Sequence, residues 1–302
     1  LEWTGRVKYL PDRIRRFLKA PERSYGIVGV CNTSDLFIEG VPFCVIDQIL
    51  AAFMLRPRSS FYAVTKRSER LRRYAAYATN LPASYWYDLM LRWQPNTDLP
   101  VPAFPLENLW LGVSCENQEW FDKRSPVLDD VRQISCVPML ELAPLQGPID
   151  LSGFFGRYNS AEWVTVGGEF ISGGTATNRK TAKKWKCGQC YEWWIADIIR
   201  QCEISEVPVF VRHVGNRFFA GERGHETFFP VTKIGGEMSE WPEPIRVRQL
   251  PCQGLMLSEP KEQQRRQIEA AQKRPHLRVA IERKTKYIPP KRRKRKHKHK
   301  DT

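Results

Sequence analysis

The chain has 302 residues, 42% hydrophobic and 27% charged, a globular composition that excludes wholesale disorder. No run approaches the roughly 20 consecutive apolar residues of a membrane helix, so no spanning segment is expected. The formal net charge is +15, and residues 291–300 (KRRKRKHKHK) hold eight Lys or Arg and no acid, so about half of the excess sits in one decapeptide.

A strand-then-helix rhythm runs from 26 to 215. Six short apolar, β-branched runs read as buried strands: 26–30 (GIVGV), 61–65 (FYAVT), 109–114 (LWLGVS), 133–137 (QISCV), 163–166 (WVTV) and 207–211 (VPVFV). Most are apolar throughout rather than alternating, as parallel strands covered on both faces are. Helical periodicity fills the gaps. Residues 41–55 place Ile46, Ile49, Leu50, Phe53 and Met54 on one face, and residues 68–78 make a stripe of Leu71, Tyr74, Ala75 and Ala78. Two more helices are predicted over 117–130 and 191–203, whereas 80–107, rich in Pro, Asn and Trp, reads as a long loop. Alternating β and α units predict an α/β fold: a parallel sheet with right-handed crossovers, open or curled into a partial (β/α) barrel. After 215 the pattern changes to Gly and Pro turns. Residues 1–251 are assigned to the α/β domain, with an extension from about 216, and 252–302 to a polar helix and a disordered basic tail.

Ligands in parallel α/β folds bind where the carboxyl ends of the strands converge. Polar residues collect at those predicted ends: Asn32, Ser34 and Asp35 after the first strand, Lys66 and Arg67 after the second, and Ser114, Glu116 and Asn117 after the third. The fourth ends Cys136-Val137-Pro138, the fifth Gly167-Gly168-Glu169 and the sixth Arg212-His213. Asp35 and Asn117 also suit helix N-caps. Lys66, Arg67, Glu169 and Arg212 are better explained by a shared binding mouth, at which Gly167 and Gly168 would let a backbone approach a ligand. No Gly-rich phosphate loop of common spacing occurs.

The strings that carry these residues are TSDLF (33–37), VPFCVIDQILA (41–51), TKRSER (65–70), NLWLGVSCENQEWFDKR (108–124), ISCVPML with GPIDL (134–140 and 147–151), WVTVGGE (163–169), VPVFVRHVG (207–215) and KIGGEMSEWPEPIRVRQLP (233–251). Together, and in this order, they resemble the uncharacterised phage gp-thirty-seven/gp-sixty-eight family, whose members look like radical-SAM-type barrels with an N-terminal cysteine cluster. The resemblance implies a partial barrel and, if the upstream cysteines exist in the full gene, SAM and a four-iron cluster. It would make Glu169 with Gly167 and Gly168 a holder of amino groups. Lys66, Arg67 and Arg212 would hold an anionic group, and Asp35, Glu116 and Asn117 would orient hydroxyls or amines. The chain departs from the family in three places. The cluster would precede Leu1, Val137 stands where a Glu usually precedes Pro, and TNRKTAKKWKCGQC (177–190) is a basic insertion.

The eight cysteines, at 31, 44, 115, 136, 187, 190, 202 and 252, are too scattered for a secreted disulfide framework, and the start carries no apolar signal region, so a cytoplasmic, unsecreted protein is expected. For a phage product that means the host cytoplasm. Cys187 and Cys190 have the spacing of half a metal site, though two ordinary thiols have it too. His213 serves either as a structural residue or as a base. Trp86, Trp93, Trp185, Trp193 and Trp194 are packing anchors or base-stacking platforms. The tail cations Lys291, Arg292, Arg293, Lys294, Arg295, Lys296, Lys298 and Lys300 repel one another and suit a polyanion, so nucleic acid is the expected partner. The leading reading is a radical-SAM-like barrel acting on or near nucleic acid. Its alternative is a non-enzymatic nucleic-acid-binding or structural protein on a degenerate barrel.

Overall fold

Six strands lie side by side in the order of the chain: β1 (Ile27–Gly29), β2 (Ser60–Thr65), β3 (Leu106–Ser114), β4 (Ser135–Leu145), β5 (Trp163–Gly168) and β7 (Val209–His213). Every neighbouring pair is parallel, and the sheet curls into a half-barrel. The computed structural model describes residues 7–21, 26–31, 34–95, 98–157, 161–170, 188–232 and 234–251.

Alternation along the strands divides the core in two. Phe61, Ala63, Leu109, Leu111, Val113, Leu140, Leu142, Val164, Val166, Val209 and Val211 face outward and join one large cluster with the helices. Those helices are α1 (Pro11–Lys19), α2 (Phe43–Met54), α3 (Ser68–Thr79), α4 (Ala83–Trp93), α5 (Gln118–Arg124), α6 (Leu128–Val131), α7 (Ser152–Arg157) and α8 (Glu192–Ile204). Trp110, Val137, Met139, Trp163 and Leu250 pack on the opposite, concave face with Tyr62, Val64 and Phe210 against them. Both faces are therefore apolar, which is why most of the strands read as continuous hydrophobic runs.

The helical layer has a polar centre. Asp47 of α2 is fully buried and accepts hydrogen bonds from the hydroxyls of Tyr74 (2.9 Å), Tyr77 (3.0 Å) and Tyr85 (2.7 Å). These phenols come from α3 and α4, so one carboxylate ties three helices together. Burial raises its pKa, and the three phenol bonds oppose that shift.

Three sequence expectations are corrected here. Residues 80–107 are not one long loop, since α4 occupies Ala83–Trp93 and buries Trp86, Leu89 and Met90. Pro82 stands just before it, where a missing N–H costs no helical bond. The fourth strand does not end at Val137-Pro138 but runs on to Leu145. The Pro138 carbonyl accepts from Glu162 N (2.7 Å), the residue just before β5 begins, so the absent N–H falls outside the β4–β5 ladder. The expected 117–130 helix is broken into α5, a 3₁₀ turn over Ser125–Val127 and α6.

A small second sheet joins β6 (Cys190–Tyr191), which precedes β7, to β8 (Phe218–Ala220) and β9 (Thr227–Phe228), which follow it. The chain then returns along the half-barrel. Val247 O accepts from Val211 N and Gln249 N donates to Val209 O, both at 2.9 Å, so this segment runs antiparallel along the outer edge of β7. Trp163 Nε1 donates to Gln249 O (2.9 Å), and Leu250 closes the concave cluster. No helix among the described residues is long and apolar enough to cross a membrane.

Candidate functional site

Register builds the concave face in rows. Val64, Gly112, Met139 and Trp163 lie abreast as an apolar floor. One step toward the carboxyl ends come Ser114, Glu141, Thr165 and Phe210, likewise abreast. A further step brings Gly167 against His213, with Ala143 Cβ close by. An apolar floor thus gives way to a polar rim at the end of the sheet where parallel folds place their ligands.

Two ion-pair groups occupy that rim. Glu116 follows β3, held by the bonds from Cys115 N to Glu141 O and from Gln146 N to Glu116 O, each 2.8 Å. Its carboxylate pairs with the buried Arg124 at 2.9 Å and with Lys66 Nζ. Arg124 also donates to Ser114 O (2.6 Å) and stacks its guanidinium 4.1 Å from the Trp120 ring. In the second group Arg212 pairs with Glu141, whose pKa burial raises while Arg212, Ser114 and Lys66 pull it back down. In both groups the carboxylate is buried and one cation, Lys66 or Arg212, is partly open to solvent. The Cys115 N–Glu141 O bond sets the segments that carry the two carboxylates side by side at this end of the sheet.

His213, 6% exposed, has its pKa lowered to about 4, first by burial and then by the neighbouring Arg212 and Arg248 charges. It is therefore a neutral imidazole at pH 7. The edge of Phe170 rests on its ring at 4.9 Å, and its Nδ1 has no hydrogen-bond partner.

The remaining expected residues have structural employment. Asp35 accepts from Thr65 Oγ1 (2.7 and 2.8 Å), Lys66 N (3.1 Å) and Phe37 N (2.8 Å), binding the first loop to the end of β2. Asn117 caps α5 through Trp120 N at 3.1 Å. Arg67 turns away from the mouth to the exposed Glu39 at 3.3 Å. Ser34 is exposed and donates its backbone N–H to Cys31 O (2.9 Å); Asn32 lies outside the described residues.

The glycine pair has a different use from the one expected. A Cβ on Gly168 would lie 2.3 Å from Val214 O, and one on Gly167 would lie 2.9 Å from the His213 ring. Protein atoms, not ligand space, make glycine necessary there. Glu169 follows, with its carboxylate accepting from Gly188 N and its backbone O from Asn216 N (3.2 Å).

Cys190 is buried on β6 and its thiol is pushed up to about 12 by burial; Cys187 lies outside the described residues. Trp86 is buried, Trp93 donates to Gln48 O (2.8 Å), and Trp193 donates to Glu226 (2.7 Å), so these three serve packing. Two rim residues escaped the sequence reading, Glu141 and Thr165. Ending the fourth strand at Pro138 hid Glu141, and Thr165 lay unremarked inside WVTV. The acid five residues before the Gln-Gly-Pro turn was the available signal.

A four-iron cluster needs three closely set thiolates. Among the described residues no three Cys, His, Asp or Glu come together as metal ligands, so these residues do not fit such a cluster. Residues 2–272 match the model of the family described as protein of unknown function (DUF5131), and the chain belongs to that family. No curated protein and no solved structure matches it.

Proposed function

We propose, from that membership and this geometry, that the half-barrel binds a charged small molecule at its mouth and acts on or beside nucleic acid, to which the basic segment 291–300 holds it. The observation that supports the first half is the paired arrangement of Lys66 with Glu116 and Arg212 with Glu141 on one rim, each open cation backed by a buried carboxylate. An anionic ligand group meets two cations already oriented by the fold. The second half rests on charge: eight cations in ten residues give a polyanion-binding segment.

The radical-SAM resemblance supports placing a reaction at the same mouth. The described residues supply no ligand set for a cluster. The non-enzymatic alternative is favoured by one observation. Burial pushes the Cys115, Cys190 and Cys202 thiols each up to about 12, so none is poised as a thiolate.

Titration calorimetry of the full chain with S-adenosylmethionine and with nucleoside phosphates tests the mouth. At least one should bind, and Arg212→Ala should abolish that binding; wild type binding none, or the variant binding equally, refutes the reading. Affinity for one duplex and one single strand across a salt series tests the tail. Each phosphate contact contributes a log–log slope of roughly −0.7 to −0.9, so deleting 291–302 should flatten the slope by several units. An unchanged slope refutes the nucleic-acid half.

A further inference from the structure

Thr165 is 2% exposed, and its Oγ1 has no hydrogen-bond partner. A buried hydroxyl without a partner is destabilising, and a valine there would fill nearly the same volume with no polar atom to satisfy. Thr165 stands in register between Glu141 and Phe210. The unpartnered Nδ1 of the buried His213 lies on the same rim.

Strand β5 lies between β4 and β7, so Arg212 must reach across β5, over the row containing Thr165, to meet Glu141. The Glu141 side chain is 10% exposed and that of Arg212 39%. This asymmetry decides what can open the pair. A simple anion that drew Arg212 away would leave a buried carboxylate without its cation, which is strongly unfavourable. A simple amine would satisfy Glu141 and leave Arg212 to water. A ligand with both signs satisfies both partners at once.

We infer that the Glu141–Arg212 pair is opened by a small zwitterion, an α-amino acid or a molecule ending in one, whose ammonium replaces the guanidinium on Glu141 and whose carboxylate receives Arg212. Thr165 Oγ1 then gains its missing partner from the ammonium. The two side chains already touch across the one strand between them, so a ligand that comes between them fits best with both charged groups on one carbon or nearly so. The inference rests on the reading of this mouth as a ligand site and assigns Glu141 and Thr165 to it.

The test is titration of the full chain with L-methionine, L-alanine, their N-acetyl and methyl-ester forms, γ-aminobutyrate, propionate and propylamine. An α-amino acid should bind, and acetylation or esterification should each weaken it at least tenfold, since each removes a charge-assisted bond. Thr165→Val should weaken it roughly threefold to tenfold without lowering Tm, as one hydrogen bond is lost and one buried unpartnered hydroxyl removed. Propionate binding as well as the amino acids, with sensitivity to Arg212→Ala, overturns the zwitterion and leaves the mouth as an anion site. Binding by none of these probes nor by S-adenosylmethionine, which also ends in an α-amino acid, overturns it as well, and the nucleoside phosphate titrations then judge the mouth separately.

Discussion

Removing the charge of Asp47 should do far less harm than removing its side chain. The carboxylate is fully buried and takes three phenol hydrogen bonds, yet burial still outweighs them and raises its pKa. Asparagine keeps the shape, with one oxygen to accept from Tyr74 and an amide nitrogen that can donate to the hydroxyls of Tyr77 and Tyr85, so Asp47→Asn should change stability by no more than about 1 kcal/mol at pH 7. Asp47→Ala leaves the hydroxyl of the fully buried Tyr74 without an acceptor, whereas Tyr77 and Tyr85 are only partly buried and can turn to water. An orphaned buried hydroxyl costs about 1–3 kcal/mol, and the other two lost bonds bring the total to about 3 kcal/mol. At roughly 2–4 °C per kcal/mol for a domain of this size, Tm should fall by about 6–12 °C. Adding Tyr74→Phe to Asp47→Ala removes the orphan and should restore roughly 1–2 kcal/mol.

The pH dependence follows from the same balance. A carboxyl whose folded pKa lies above its unfolded value of about 3.9 holds more protons when folded, so stability declines as pH rises from there through the folded pKa. Asp47→Asn should lose that decline. Thermal melts of the four proteins between pH 4 and 8 supply every quantity. An Asn variant as damaged as the Ala variant, or no recovery from Tyr74→Phe, would refute the reasoning.

Three further outcomes are expected. Arg124→Ala should cost about 3 kcal/mol in chemical denaturation, because it strips a buried partner from Glu116, while Lys66→Ala, on the solvent side of the same carboxylate, should cost within about 1 kcal/mol; equal losses would contradict that order. Gly168→Ala should destabilise by about 2 kcal/mol in the same assay, since its Cβ would meet Val214 O at 2.3 Å, and an unaffected variant would mean that the two strand ends are not packed as described. His213, with its pKa lowered to about 4, binds fewer protons folded than unfolded, so the stability it contributes is present above about pH 6.5 and is lost as pH falls toward 4; its imidazole NMR signals should stay those of the neutral ring at pH 5.5, and a charged ring there would refute its burial.

The parallel sheet was legible because most of its strands are covered on both faces and therefore spell continuous apolar runs, while those runs read the same for an open sheet and a curled one. The sequence misleads where one residue type carries two meanings. Pro138 reads as a terminator, but its missing N–H falls just ahead of β5, so the strand continues through it to Glu141 and beyond. Lys66, Glu116 and Arg212 were expected at the rim from strand polarity; Lys66 pairs with Glu116, and Arg212 with Glu141, which that polarity did not mark. Asp35 and Arg67 carry the same polarity, but Asp35 is taken up by Thr65 at the end of β2 and Arg67 by Glu39 in a turn, pairings that only the tertiary course of the chain brings about. Gly167-Gly168 announced a close approach correctly and left its object unstated: a neighbouring strand requires glycine as strictly as a ligand does.

Because spatial order follows chain order from β1 to β7, each strand leaving the ribosome finds its partner already made. No pairing in the main sheet waits for a later segment to be inserted between two earlier ones, so every step is local addition to a growing edge, with a small loop-closure cost. Synthesis leaves the newest edge bare at each step, and the last of these, on β7, is covered once residues 247–249 emerge. The interval between Val209–His213 and that closing segment is the period in which a nascent chain presents β7 unpaired, the condition under which strand edges recruit other chains. A chain cut short before residue 247 would therefore hold a nearly finished half-barrel with its β7 edge exposed.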